Sequence, residues 1–457
     1  MNAIARKFLV SRRSLGMIAL ASAAAVGLSA CGDSSREQKG TATSGDITWW
    51  GWTPDAANAA KLIAEFNREY PEIHVEFVSK PIDSYDSVLS PAITSKDGPD
   101  VFNVAPGSAN GGVQVYEGGA IDLTSAVTQA LGEDWRSQLA QIGVNGLTVG
   151  EKLVGLSAGA VYSGGLWVNQ DLFDRYGLSH PTTFEEWKAV CAKFESHGVG
   201  GFVQGAGQHA FDMDTYEAIM ENIRPGSYMA AAKGEIPFTD PIFKQGLDIW
   251  RQLFDEGIMQ EGAIGLQQYP DANNAFMAGK YAMIMMGSWY TQYAVKDSMV
   301  AAMEAAGVSH PEPFTMLPID FPDVAGTGEV GHYFGDADYG VAVSGMSDQQ
   351  AAATTFATWL ATSEQGQQAV ADTLNDVPAL SGISPDWEAI DLVNPEVQRQ
   401  PLQDYTAKVA RATSTRFADV SSDLNSTYKD GLIGLVAGEM DAEELLSSLQ
   451  AVVDAQG

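Results

Sequence analysis

The stretch "DITWWGWTPDAANAAKLIAEFNREYPEIHVEFV", residues 46–78, decides the fold. Its opening, Ile47-Thr48-Trp49-Trp50, has the composition of a strand. Thr53 as cap and Pro54 at the first helical position then predict a helix with Ala59, Leu62, Ile63, Phe66 and Tyr70 on one face, stopped by Pro71. Ile73, Val75 and Phe77 alternate with His74 and Glu76, the period of a second strand, and "PDVFNVA" after Gly98 reads as a third, short and buried. This βαβ order predicts a mainly parallel sheet covered by helices, with ligands bound outside the carboxyl ends of the strands.

Three tryptophans stand at such an end. Trp50 and Trp52 share a parity and point to one side, whereas Trp49 sides with Ile47 and is expected under the first helix. Trp52, beyond Gly51, is the better placed to line a cleft, with Trp50 second. The competing expectation is that all three fill the core.

Upstream, "MNAIARKFLVSRRSLGMIALASAAAVGLSACGDSS" joins a basic head (Arg6, Lys7, Arg12, Arg13) to an uncharged run over 15–30 and a small-residue site, the pattern of an export signal spanning 1–30. The run is short of the roughly 20 apolar residues that a bilayer span needs. It ends in Leu28-Ser29-Ala30-Cys31, which resembles the lipobox of bacterial lipoproteins, with Cys31 as the acylated residue. Arg12-Arg13 leaves both general and twin-arginine export open. Residues 31–45 are polar and aperiodic and read as a lipid-anchored flexible tether, whose polar part of about 14 residues spans on the order of 20 Å. Cys191, the only other cysteine, repeats at helical spacing with Trp187, Val190 and Phe194 behind a capping box from Thr183 to Glu186, so it is expected in a core.

The remaining chain, roughly 410 residues, is too long for one core and predicts two domains. Acids number 58 against 26 bases, and removing the four bases of the signal takes the net charge from −32 to −36. Such a balance argues against nucleic acid and disfavours anionic ligands.

"GPDVFNV" with "GGAIDLTSAV", "GLWVNQDLFDRYGLSHPTTFEEW", "AFMAGKYAMIMMGSW", "HYFGDADYGVAVS" and "AAATTFATWLATSEQGQQAV" leading to "NDVPAL" occur in this order along the chain. Together they resemble the extracellular solute-binding proteins of carbohydrate ABC transporters, the maltose-binding-protein-like group. The resemblance implies an α/β fold of two lobes joined by a hinge of several crossings and closing over a sugar. It places crossings near 157–165, 314–318 and 362–366. The N-terminal lobe would comprise 46–160 plus 318–362, and the C-terminal lobe 161–317 plus 363–457. It also implies a lipid-anchored monomer on the outer face of the cytoplasmic membrane, delivering a mono- or oligosaccharide to the permease subunits of an ABC importer, without cofactor or metal.

A sugar offers weakly apolar C–H faces and hydroxyls that donate and accept, so its site needs aromatic plates and carboxylates or amides. Trp289 ends the apolar run 282–286 and is the expected stacking plate. Tyr333, Asp336 and Asp338 occupy a glycine-flanked loop, where a calcium loop is the rival reading but lacks the further acids and closing glutamate. His209, Phe211 and Asp212 follow the apolar Phe202-Val203. Asn103, Tyr162 at the first crossing, and Asn375-Asp376 complete the expected ligand-binding set.

Two catalytic signatures are missing: neither H-E-x-x-H nor a Walker loop occurs, and the six histidines are scattered. An extracellular glycoside hydrolase would need only two acids across a cleft and stays open as an alternative. A receptor for a peptide is the other, with Arg224 as the main basic residue in the relevant loops.

Overall fold

The computed structural model describes residues 38–108, 111–418 and 420–456. Cys31 and the export signal lie outside the described residues. Part of the expected tether is folded, in correction of that reading. The N–H groups of Lys39 and Gly40 donate to the Asp348 carbonyl at 2.7 and 3.2 Å, and Thr355 Oγ1 donates to the Ala42 carbonyl at 3.0 Å. A polar segment without apolar period can still dock when a neighbouring loop offers acceptors to its backbone donors.

The main strands are β1 (Gly45–Gly51), β2 (Ile73–Ser79), β3 (Val101–Val104), β4 (Leu156–Ser163), β5 (Gly165–Asn169), β6 (Gly200–Val203), β7 (Tyr281–Met285), β8 (Met316–Asp320) and β9 (Phe334–Val343). Six helices matter for the site: α1 (Ala56–Glu69), α2 (His209–Ile223), α3 (Gln350–Thr362), α4 (Glu364–Thr373), α5 (Pro395–Val409) and α6 (Ser422–Ala437). The predicted βαβ unit is present, with β1 parallel to β2 from Gly45 against Ile73 to Gly51 against Ser79. Its helix begins later than expected. Asp55, not Thr53, caps α1, its carboxylate accepting from Ala57 N at 2.8 Å and Asn58 N at 3.0 Å. Two terminal donors are thereby satisfied by an ionised group at the positive end of the helix dipole.

Two lobes follow from two sheets. The first runs Val377–Pro378, β4, β9, β3, β1, β2, with Ser414–Thr415 pairing with β9. The second runs β8, β5, β7, β6. Neither is the mainly parallel sheet that was expected. β9 is antiparallel to both β3 and β4, and β5 is antiparallel to both β8 and β7, leaving β6 with β7 as the parallel pair of the second sheet. The strand that enters each lobe after a crossing, β9 in the first and β5 in the second, runs against its two flanking strands, so mixing comes with the hinge.

Each lobe has its own core. Trp49, Phe66, Val341, Phe356 and Leu360 pack together in the first, and Trp187, Cys191, Phe243, Trp250 and Tyr428 in the second. Trp49 is fully buried, with Phe77 and Phe356 rings 4.6 and 5.3 Å from its own. Such an anchor is worth about 3–5 kcal/mol on truncation to alanine.

The first crossing is the β4–β5 junction, at Gly164, within the expected segment. The chain at 314–318 has not yet returned, because β8 pairs with β5 in the second sheet; the return falls between Asp320 and Phe334. Nor does it leave at 362–366. α4 packs on α1 and α3, Val370 lies in the first core, and Val377 pairs with Ala160 of β4. Trp387 and Leu392 then belong to a cluster with Trp167 and Met316 of the second sheet, so the third crossing lies between Pro378 and Trp387.

Candidate ligand-binding cleft

Aromatic groups of the second lobe meet acids and amides of the first. Trp289 sits in the 3₁₀ turn Ser288–Ala294 that follows β7, half-buried, its indole N–H donating to the Tyr269 hydroxyl at 3.1 Å. Phe211, in the first turn of α2, lies 6.2 Å from the Trp289 ring and 6.0 Å from that of Tyr269. The same turn is tied to the first lobe through Gln292. Its Nε2 donates to Asn375 Oδ1 at 2.8 Å, and its Oε1 accepts from Asn58 Nδ2 of α1 at 3.1 Å.

Asn375 brings the acids together. Its Nδ2 donates to Asp338 Oδ2 at 3.3 Å and to Asp376 Oδ2 at 3.1 Å, and Thr53 Oγ1 donates to Asp338 Oδ2 at 3.2 Å. Leu374, which ends α4 at φ 57°, turns the chain so that both following side chains reach this cluster. A non-glycine residue in the left-handed region is costly and marks a conformation that the surroundings hold in place. Burial raises the carboxyl of Asp376 well above its usual range, and the neighbouring charge of Asp338 adds to it. Burial raises Asp338 too, against the lowering effect of its hydrogen bonds with Asp376, Thr53 and Asn375. Both carboxyl groups therefore favour their protonated forms more than an isolated acid does.

Asp336, two residues earlier on β9, has another task. Its Oδ2 accepts from Phe417 N at 2.7 Å, and burial pushes its carboxyl up to about 7 despite that bond and the nearby Arg416. Asp336 and Asp338 thus part company, one on the 416–418 segment and the other toward Asn375.

Arg416 is the basic residue that sequence reasoning missed. Its Nε and one terminal nitrogen donate to the two carboxylate oxygens of Asp214 in α2, both at 2.6 Å. The guanidinium lies 5.2 Å from the centroid of the Trp289 ring and 4.4 Å from that of Phe417. Arg224, the base singled out earlier, instead pairs with Asp240 at 3.1 Å on the surface. No local pattern marks Arg416, whose partner is 202 residues away.

Several expected ligand contacts are occupied by protein. Asn103 accepts from the Trp49 indole at 2.7 Å and donates to the Thr53 carbonyl at 2.6 Å, which makes it a buried strut behind the tryptophan loop. A Cβ at Gly51 would stand 2.5 Å from the Asn103 amide, so glycine there is required by this packing. Asp212 is fully buried and accepts from Gln204 Nε2 at 3.3 Å, its carboxyl raised by burial. His209 bonds Asn425 Oδ1 at 3.0 Å, and burial lowers its imidazole to about 4. Tyr333 donates to Asp320 Oδ1 at 2.7 Å and lines a separate cavity of about 410 Å³ with Pro181, Phe321 and Tyr405. Tyr162 lines a cavity of about 790 Å³ with residues 140–150 and 410–418, and its N–H donates to Ser288 Oγ, beside Trp289, at 2.9 Å.

The opening tryptophans divide as parity predicts. Trp50 lies under Lys80 Nζ, 4.1 Å from the ring centroid, and Trp52 stands edge-on to Tyr85 at 4.9 Å with part of its surface exposed. Trp52 also precedes Thr53, whose hydroxyl reaches Asp338.

Two lobes with an aromatic and acidic seam between them define a class of binding protein, and the chain belongs to the bacterial extracellular solute-binding protein family, whose profile matches residues 50–367. The multiple sugar-binding protein of Streptococcus mutans is 27% identical over 289 residues, 61% of this chain; the matched part spans 65% of that relative. A structure from work on xylan utilization by the thermophilic bacterium Caldanaerobius polysaccharolyticus superposes with a TM-score of 0.72 at 22% identity, covering 89% of this chain and 99% of that one. A chitin oligosaccharide binding protein gives 0.68 at 20% identity, covering 90% and 98%.

Proposed function

We propose that the protein captures a neutral sugar, a short oligosaccharide, between its lobes and delivers it to an ABC permease without altering it. The observation that carries this reading is the meeting of Trp289, Phe211 and Tyr269 of one lobe with Asp338, Asn375 and Asp376 of the other. Flat rings suit sugar C–H faces, and carboxylates accept from neighbouring hydroxyls. A ligand that touches both sets favours the closed arrangement because it binds that state better than the open one. The sugar-related relatives support the same ligand class.

Export, lipid attachment at Cys31 and action as a monomer on the outer face of the cytoplasmic membrane complete the proposal. Calorimetric titration of the purified protein with xylotriose, chitotriose and maltotriose tests it: one of these, or a neutral oligosaccharide close to it, should bind at one site and be recovered intact. Released shorter sugars would instead identify a hydrolase, and binding of peptides but no saccharide would retire the sugar reading.

A further inference from the structure

Arg416 is held more specifically than an ordinary ion pair requires. Its side chain is 12% exposed and that of Asp214 only 1%. Two parallel hydrogen bonds to one buried carboxylate fix the guanidinium plane as well as its position. The main chain is fixed too, with Arg416 N donating to the Gly335 carbonyl of β9 at 3.0 Å and the next residue bonding Asp336. Because Asp214 compensates its charge and Asp336, Glu217 and Asp338 also face it, the group is a poor receptor for an anionic ligand.

We propose that Arg416 is a positioning residue for the Trp289 plate: its guanidinium covers one face of the indole and leaves the opposite face for a ligand ring. The Tyr269 hydroxyl and the Phe211 ring hold the indole at its edge, so the three contacts together set its plane. A cation on an aromatic face is attracted by the ring quadrupole, and the attraction grows as water is excluded. Since the Arg416 backbone is docked on β9, the orientation of a second-lobe plate is coupled to the first-lobe sheet. Lysine could not do this work: a point charge on a flexible stem keeps neither the fork to Asp214 nor the plane.

The assignment rests on Trp289 being the stacking plate, and its test is arranged to separate the two claims. The full protein is labelled with 5-fluorotryptophan, and Trp289→Phe identifies the Trp289 fluorine resonance. Arg416→Lys and Arg416→Gln should each displace that resonance by more than its linewidth without ligand, while those of Trp49 and Trp187 stay put. Asp214→Asn, which keeps the arginine but loosens the fork, should displace it as well and serves if either arginine variant fails to fold. With a saccharide that binds, Arg416→Gln should weaken affinity at least tenfold in the parent and less than twofold beside Trp289→Ala. A Trp289 resonance unmoved in the folded variants would overturn the assignment, as would equal losses of affinity in both backgrounds. Displacement by Arg416→Gln with no response to any saccharide would retire the sugar reading and leave the positioning role standing.

Discussion

On the proposed reading, recognition turns on Trp289. Its ring is half-buried, held at the edge by Tyr269 and Phe211 and on one face by Arg416. A receptor of micromolar affinity has about −8 kcal/mol to distribute, and losing one well-placed plate removes roughly 2 kcal/mol. Trp289→Ala is therefore expected to weaken sugar binding at least tenfold with the melting temperature little changed; an unaltered calorimetric titration would remove Trp289 from the site. Its place after the end of a strand was legible because a strand-length apolar run ends just before it. Trp49 was legible by parity alone. Asn103 and Asp212 misled for a common reason: a polar side chain after a buried strand needs a partner, and the local sequence does not say whether protein or ligand supplies it. In both cases protein does, through Trp49 and Thr53 for Asn103 and through Gln204 for Asp212.

Among elements, the β4–β5 junction is where sequence and structure meet most directly. The segment carries glycines at 155, 159, 164 and 165, and of these Gly164 alone has positive φ, at 104°. A Cβ there would lie 2.7 Å from the His332 carbonyl oxygen. Gly164→Ala combines a disfavoured backbone with a backbone clash and should cost about 1–3 kcal/mol, read as a lower midpoint in thermal or urea denaturation. An unchanged midpoint would show that the junction relaxes freely and is no fixed pivot. The other two crossings were displaced from their expected positions because strand pairing decides them. Whether Met316–Asp320 is already home depends on its partner, Gly165–Asn169, about 150 residues earlier, and no composition cue within either segment records that pairing. The α1 cap shifted by two residues on a similar ambiguity, since Thr53 and Asp55 are both good caps; Thr53 is drawn off to Asp338.

Over the whole molecule, buried acids give stability a sign that the composition hides. Burial raises Asp336 to about 7 and lifts Asp212, Glu217 and Asp376 well above their usual range. For such groups the folded state binds protons that the unfolded state has released, so stability is greatest below the unfolded value near 4 and is lost as pH rises through the folded one. For Asp336 the loss between about pH 4 and 7 is on the order of 4 kcal/mol. His209 works oppositely: lowered to about 4, it stabilises the fold above 6.5 and loses that contribution as pH falls toward 4. The melting temperature should accordingly fall from pH 6 to pH 8, and Asp336→Asn should flatten that fall. A melting temperature rising over the same interval would contradict the assignment of these acids. What the sequence by itself determined is what short-range periodicity and parity can carry: a signal with a lipidated cysteine as expectation, α/β lobes, a first βαβ unit, and rings at the ends of strands. Only the tertiary structure decided where the chain changes lobes, which polar groups are spent on other protein groups, and that Arg416 stands behind Trp289. Those outcomes depend on partners far apart along the chain, and the energy of burying a polar group depends on which partner it finds.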